Sequence, residues 1–416
     1  MISCWLITRD MRISDNNTLQ KALNGSNVVY PFFRFTKQQT SGNYFSSRSF
    51  EFLCESLIEL SKLLSISVSY LQDDDEFTSR LKSLNIEKIY LARDFTPYAR
   101  KRLKFLRENF KVEEVDDITL HPVSQYTDKK KLKPFFESIP EVTVMKKLPK
   151  LSKIKSDGIK FDISSYYKKS FNANVRRSDF ESLIKNFVLN LSNYGDDKER
   201  KKIGNPNVSN LSAFIKFGII SIREVWKLAD KLYISDRDAF KRELSFQDFY
   251  RTLAYYNFED VYINPTWEYK EERPKFLYEY DLLKWKQHFG EKGEITLDEK
   301  HEIKEANEIW NKWKRAETEY TLINAAVKQL QDTGYMLNRL RMITCSYICR
   351  DNNIWWKYFE RYFAQKLIDY DWTINSMNIQ NIVKIGLYPK YTQDFKISTQ
   401  QNDQKIDKQI YYSKYL

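Results

Sequence analysis

Two residue types that build metal centres and disulfide frameworks are scarce: the 416 residues hold four cysteines and three histidines. Cys4, Cys54, Cys345 and Cys349 form no Cys-x-x-Cys pair. They have no metal-type spacing to His121, His288 or His301, which argues against a zinc site or any other metal centre. A chain without paired cysteines fits a reducing, intracellular compartment, cytoplasm or nucleus. No apolar run reaches 18 residues, so no segment is expected to span a membrane. The N-terminus is already charged at Arg9 and does not read as a signal peptide. Internal repeats and long low-complexity tracts are lacking.

What is present is charge and aromatic surface. The formal net charge is +12 and the pI about 9.1. That balance suits a polyanionic partner, although a lysine-rich composition can also be basic without one. Nine Trp, 28 Tyr and 27 Phe suit a protein that binds flat rings, and equally serve as core. A hydrophobic fraction of 42% in this length supports a real core and more than one domain.

Residues 1–120 alternate apolar runs with helical patterns. Ile2–Ile7, Val28–Phe33, Ile66–Leu71 and Ile86–Ala92 read as buried strands. Ser49–Leu64 carries Phe50, Leu53, Leu57, Leu60 and Leu64 at helical spacing. The alternation predicts a Rossmann-like α/β domain with a parallel sheet over 1–125. Residues 126–170 are rich in Lys, Pro and Ser without clean periodicity and read as an inter-domain linker. From 171 to 416 helical patterns dominate, which predicts an all-α second domain.

Several segments carry chemistry. Val208–Arg223 joins hydroxyls to the start of an apolar helix, so Ser209 or Ser212 could cap it and leave N–H groups for an anion such as a diphosphate. An ordinary N-cap is the commoner meaning of that pattern. Glu243, Phe246, Gln247 and Tyr250 share one helix face, either a pocket wall or a half-buried surface. In Thr333–Met342, Tyr335, Asn338, Arg339 and Met342 cluster. A buried Arg341 would need a carboxylate, which Asp369 or Asp371 could supply. Trp355, Trp356 and Trp372 are more often core than electron relay.

Taken in order, these segments resemble the DNA photolyase/cryptochrome family, closest to the class I cyclobutane pyrimidine dimer photolyases, in a divergent and shortened form. Trp5–Asn16 resembles the opening strand with its Arg-Asp-x-Arg-x-x-Asp-Asn signature. Asp94–Arg100 resembles an Asp-Tyr-Thr-Pro-Tyr-Ala-Arg turn, and Asn210–Arg223 the flavin signature. Glu243–Tyr250 resembles Glu-Leu-x-Trp-Arg-Glu-Phe-Tyr. Thr333–Met342 resembles Thr-Gly-Trp-Met-His-Asn-Arg-Leu-Arg-Met, the most specific match.

The resemblance implies FAD in the helical domain and UV-damaged DNA as partner, acted on by a monomer. Ser209, Leu211, Ser212 and Tyr194 match phosphate-side positions, and Gln247 stands at a further cofactor-side position. Arg341 and Asp369 match an ion pair beside the isoalloxazine. Asp371 matches a carboxylate near the ribityl chain, and Asn375 the residue facing flavin N5. An asparagine there is the photolyase choice. Glu243 matches the carboxylate that hydrogen-bonds the dimer bases. Lys198 stands at an arginine position near the lesion, with Phe246, Tyr335, Arg339 and Met342 on the same side. Photolyases for 6-4 lesions place histidines where this chain has Asn338 and Met342, so the expected substrate is the cyclobutane dimer. Nothing in the sequence selects a folate or a deazaflavin as antenna.

Departures from the pattern are equally specific. Ile379 replaces the flavin-proximal relay tryptophan, and Asn381 a tryptophan that packs on the dimer. Phe246 and Gln247 replace Trp and Arg, Asn324 an aspartate, Val208 a threonine and Leu337 a histidine. Trp356 matches the middle relay position, and Trp372 is a candidate replacement donor. A C-terminal family motif is barely recognisable in Phe395–Asp407. The alternatives to repair are a non-catalytic DNA-binding or structural descendant and a cryptochrome-like blue-light receptor.

Overall fold

The structure is a computed structural model. It describes residues 1–35, 39, 45–64, 69–71, 74–129, 131–145, 150–157, 172–200, 202–204, 206–259, 261, 273–291, 293–385, 387, 397 and 405–416. Most of the Phe395–Asp407 motif therefore falls outside the described residues. By its contacts the chain forms two compact units. The first comprises Met1–Arg200, Asn207–Phe258 and Ile368–Ile374; the second comprises Lys201–Pro206, Glu259–Leu367 and Asn375–Leu416.

The first unit is built on β1 (Ile2–Ile7), β2 (Val28–Arg34), β3 (Ser69–Leu71), β4 (Lys88–Ala92) and β5 (Lys111–Val115). They pair in the order β3-β2-β1-β4-β5, every neighbour parallel. Central β1 is covered on both faces, as parallel sheets require, and its polar residue Ser3 is buried with Ser26 Oγ donating to it. Pro31 sits opposite Trp5 of β1 and one residue before the β2–β3 ladder begins at Phe32. Its missing N–H thus interrupts no bond to β3. Helices α1 (Asn17–Gly25), α2 (Ser47–Leu64), α3 (Asp74–Ser83) and α4 (Pro97–Asn109) connect the strands. Asn16 caps α1 by accepting from Leu19 N–H, and Thr96 caps α4 by accepting from Ala99 N–H, with Pro97 opening the helix.

Strand β5 was not expected. Its sequence, Lys-Val-Glu-Glu-Val, belongs to an edge strand with only Val115 fully buried, so no apolar run marks it.

The linker and the boundary near 170 do not correspond to the contact units. Tyr126 and Phe135 are buried, and Phe135 packs edge-on against Phe249 at 5.4 Å between centroids. Lys153 donates to the carbonyls of Leu23 and Ser26. Helices α5 (Ser212–Phe217), α6 (Ile222–Leu228) and α7 (Ile234–Tyr256) also belong to the first unit. The reason is a set of buried charged hydrogen bonds. Arg223 donates to Asp15 Oδ2 at 2.8 Å, to Asp117 Oδ1 at 3.1 Å and to the carbonyls of Asp15, Asp117 and Thr119. Breaking one partner of such a network leaves an uncompensated buried charge.

Asp248 of α7 extends this anchoring. Its Oδ2 accepts from Leu120 N–H at 2.8 Å and Tyr126 O–H at 3.1 Å, while Oδ1 has no hydrogen-bond partner among the described residues. Burial pushes its carboxyl up to about 6, against the pull of Arg251. The folded state thus holds this proton to a higher pH than the unfolded chain, whose carboxyl titrates near 3.9. Asp248 therefore lowers stability progressively as pH rises from about 4 to 6. Asp248→Asn keeps an acceptor for both donors. Its melting temperature relative to wild type should rise between pH 4 and pH 7; an offset that stays constant over that range would refute the assignment.

The second unit is helical: α8 (Glu279–His288), α9 (Leu297–Lys314), α10 (Thr321–Thr333), α11 (Asn338–Ser346), α12 (Trp356–Lys366) and α14 (Lys405–Tyr415). Helix α13 (Trp372–Val383) starts in the first unit and continues into the second. The expected architecture, a parallel α/β domain followed by helices, is the one observed.

Candidate functional site

In the first unit, α5 opens without a side-chain cap. Leu211 is its N-cap residue, Ser212 its exposed first residue, and Ser209 Oγ accepts from Leu211 N–H at 3.4 Å, two residues before the cap position. The cap expected of Ser209 or Ser212 is therefore not made, because Asn210 adopts a positive φ of 55° and turns the chain before the helix. The N–H groups at the helix start are left for another acceptor, which is the chemistry an anion needs. Tyr194 packs edge-on against Phe240 at 5.8 Å.

The α7 face is as the spacing predicts. Glu243, Phe246 and Gln247 are half-buried, and Phe246 tilts against buried Tyr250 at 5.8 Å. Burial raises the Glu243 carboxyl above its usual range, with Arg200 and Arg242 opposing. Lys198 is exposed, and its backbone N–H is held by Asp196.

Asp371 is a buried carboxylate held by two guanidinium groups. Arg9 and Arg251 both donate to its Oδ2, Arg251 at 3.1 Å. Burial works to raise its pKa, but the two guanidinium groups outweigh it and hold the carboxyl well below the usual range. Asp371 Oδ1 accepts from Ile374 N–H at 3.2 Å, so the same residue caps α13. Of the two carboxylates considered for Arg341, Asp371 thus already has two guanidinium partners. Arg9 is fixed in turn by Lys216 O and by Asp94 at 3.8 Å. Gly218 makes this possible: at φ 71° it ends α5, and a Cβ there would overlap the Arg9 carbonyl.

Lys216 lies beside this pair, donating to Ser49 Oγ and Ile368 O at 3.1 Å each. Burial pushes its ammonium down to about 7; Asp369 opposes the shift and Arg9 reinforces it. Together Arg9, Phe33, Phe45, Tyr98, Lys216 and Trp372 line a cavity of about 410 Å³ at the carboxyl ends of β1, β2 and β4. In open parallel sheets ligands bind at that end. Arg9, Arg251 and Lys216 were not singled out in the sequence; only the Arg-Asp-x-Arg signature around Arg9 could have pointed there.

In the second unit, α11 and α13 bring four polar side chains together. Asn378 Nδ2 donates to Asn338 Oδ1 at 3.1 Å, and Asn338 Nδ2 reaches Met342 Sδ at 3.9 Å. Arg341 Nε donates to Met336 O at 2.7 Å, and its Nη1 to Asn375 Oδ1 at 3.5 Å. The Arg341 guanidinium also lies 5.7 Å from the Tyr335 ring centroid. Asn375 is buried, whereas Asn338 is exposed and Arg339 and Met342 are half-buried. Leu337 precedes α11 without capping it. Asn324 closes a local loop with Thr318 by three hydrogen bonds. Ile379 and Trp356 are buried, and Lys357 Nζ stands 4.0 Å over the Trp356 ring.

Residues 3–139 match the DNA photolyase family model, and residues 240–416 match the FAD-binding domain of DNA photolyase. A deoxyribodipyrimidine photo-lyase from Buchnera aphidicola is 24% identical over 91% of this chain and 80% of its own length. A cryptochrome DASH from Idiomarina loihiensis is 23% identical over 96% of this chain and 89% of its own. The crystal structure of an archaeal photolyase from Sulfolobus tokodaii superimposes with a TM-score of 0.78 at 25% identity, covering all of this chain and 90% of that one. That protein holds two FAD molecules, implicating a novel light-harvesting cofactor. Among the described residues no helix is long and apolar enough to cross a membrane.

Proposed function

For a chain that belongs to the DNA photolyase/cryptochrome family, with FAD as its cofactor, we propose light-dependent repair of cyclobutane pyrimidine dimers in DNA. The observation that carries this reading is the Asn338–Met342–Asn378 group. It offers amides and a thioether to a lesion base, and no imidazole that could donate the proton of 6-4 chemistry.

The residues fit a flavin on two counts. The uncapped start of α5, with Ser209, Leu211 and Ser212, suits a diphosphate, with Tyr194 and Gln247 as further cofactor-side groups. Arg341, aligned by Met336 O and Asn375 Oδ1, suits the electron-rich ring system. Reduced FAD, when bound and excited by blue light, supplies one electron to the dimer and recovers it after the ring splits. The chain's own residues do the rest. Asn375 would present its amide to the ring, with its Oδ1 accepting from Arg341 Nη1. Glu243, Phe246, Tyr335, Arg339, Met342 and Lys198 hold the extruded lesion and its phosphates. Extrusion costs a few kcal/mol, less for a damaged and weakly paired site. The cavity of about 410 Å³ in the first unit suits a second, light-collecting chromophore.

Light-driven repair of a defined cyclobutane dimer in an oligonucleotide tests this, with a 6-4 product as control. Repair of the first and not the second is expected. Glu243→Ala should lower the repair yield with little loss of flavin. It removes a hydrogen bond to a desolvated base, worth roughly 1–3 kcal/mol. Efficient 6-4 repair by the wild type would contradict the assignment.

The cryptochrome DASH relative, similar at nearly the same identity as the photo-lyase, favours light sensing as the second reading. A flavin-loaded protein that repairs neither lesion would support it. A correctly folded protein that takes up no FAD would instead mark a non-catalytic descendant.

A further inference from the structure

The side-chain nitrogen of Lys216 stands among rings. Its Nζ lies 4.9 Å from the Phe45 centroid and 4.5 Å from that of Phe217. Both rings line the cavity of about 410 Å³ in the first unit, and so does Lys216. Among the described residues no carboxylate forms an ion pair with this nitrogen.

Its hydrogen bonds identify the form it takes. Nζ donates to Ser49 Oγ and to Ile368 O at 3.1 Å each. Ser49 Oγ commits its own proton to Ile368 O at 2.7 Å, so toward Lys216 it can only accept. An ammonium carries three N–H donors and no lone pair. A neutral amine carries two donors and one lone pair. Two acceptors therefore satisfy the neutral form and leave its lone pair uncommitted.

The electrostatics agree. Burial is the main influence and pushes the group down to about 7; Arg9 reinforces this, while Asp369 and Asp371 oppose it. Phe45 and Phe217 favour the cation, but weakly. Of the other charged groups on the cavity, Arg9 pairs with Asp371 and Asp94, and Lys101 is exposed. At pH 7 about half of such a group is free base, against about one part in 2,500 for an ordinary lysine. A desolvated lysine next to another cation is an activated nucleophile toward carbonyl carbon.

The walls select the ligand. Phe33, Tyr98 and Trp372 add flat faces to those of Phe45 and Phe217, which favour a planar ring. The volume falls within the range for small organic ligands, about 300–1,000 Å³. We infer that this cavity binds an aromatic aldehyde covalently, as an imine on Lys216. The Nζ lone pair attacks the carbonyl carbon, and the C=O π pair moves to oxygen. Both amine protons leave with that oxygen as one water. Aldehyde and amine give imine and water, with no change in oxidation state and no further reagent. The inference rests on the reading of this cavity as the place of a second chromophore, and names the group that anchors it.

The test uses full-length, flavin-loaded protein and 2-hydroxybenzaldehyde at pH 7, with cyanoborohydride to reduce any imine to a stable amine. Peptide mass mapping locates the label, so the result is read without measuring repair. Lys216 should be labelled at least about tenfold faster than the median exposed lysine. That preference should shrink as pH rises toward 10, where ordinary lysines also lose their protons. It should be lower with propanal, an aldehyde without a ring. Lys216→Met should abolish the fast labelling and leave flavin absorbance as in the wild type. Should that variant not fold, the wild-type map decides alone. Labelling at Lys216 no faster than at exposed lysines, fast labelling that survives in Lys216→Met, or no label at all would each overturn the inference. Equal preference with propanal would overturn the aromatic class of the ligand.

Discussion

Asp371→Asn should lower the melting temperature of the first unit by on the order of 10 °C, while α13 stays capped. The substitution removes a charge and little else. Asparagine is as good an N-cap as aspartate, so the bond from Ile374 N–H survives. What is lost is the counter-charge to Arg251, whose side chain is 1% exposed, and to Arg9. Removing one partner of a buried ion pair costs about 3–5 kcal/mol. In a unit of this size that corresponds to roughly 2–4 °C per kcal/mol.

The pH dependence carries a second signature. The folded-state pKa of Asp371 is depressed, so its stabilisation is complete above the unfolded value near 4 and fades as pH falls below it. The gap between wild type and variant should therefore shrink in acid. Asp371→Ala removes cap and charge together and should cost about 1 kcal/mol more. An Asn variant as stable as wild type at pH 7 would mean that Arg251 is satisfied by Ile118 O alone, to which it donates at 2.6 Å.

Local signals in the sequence carried the strands and the helix faces; pairings over long separations were not legible. β1, β2 and β4 announce themselves because a parallel sheet buried on both faces needs predominantly apolar runs. β5 lies at the edge, and its adjacent Glu113 and Glu114 leave neither an apolar run nor a clean alternation to mark it. The Glu243 face and the Asn338–Met342 group follow from helical spacing alone, since residues three and four apart must meet. Arg9 and Asp371 are separated by 362 positions, and Arg251 and Asp371 by 120. Any of the 68 basic residues could have been chosen, and only packing selects these two. The boundary near 170 was placed by composition, yet the buried Arg223 and Asp248 bonds fasten α6 and α7 to the first unit. Hydroxyls at Ser209 and Ser212 suggest a cap in one dimension; the positive φ at Asn210 cancels it.

Light-driven reduction of the oxidised flavin should be slow in this protein, and Ile379→Trp should speed it many-fold. On the proposed reading, Ile379 stands where the first electron donor to the flavin belongs, and an aliphatic side chain cannot form a stable radical by losing an electron. Trp356, buried and able to serve as the next carrier, is then stranded. Lys357 adds to the difficulty, because an ammonium 4.0 Å over the ring disfavours a cationic indole; Glu360 at 3.7 Å from Lys357 offsets part of that charge. Ile379 is only 3% exposed, so the larger ring has to be accommodated at about 1–3 kcal/mol. A melting curve identifies variants that fail for that reason alone. The measurement is flavin absorbance under blue light with an external reductant. Repair by protein reduced chemically beforehand should be the same in wild type and variant, because repair cycles an electron between flavin and dimer and draws nothing from the relay. Fast photoreduction in the wild type would mean that another donor exists. Trp372, half-buried on the cavity beside Arg9 and Lys216, is then the residue to test. If Trp372→Phe abolishes the fast reaction, the electron enters through the start of α13. If it changes nothing, the relay does not run through either position and the assignment of Ile379 falls.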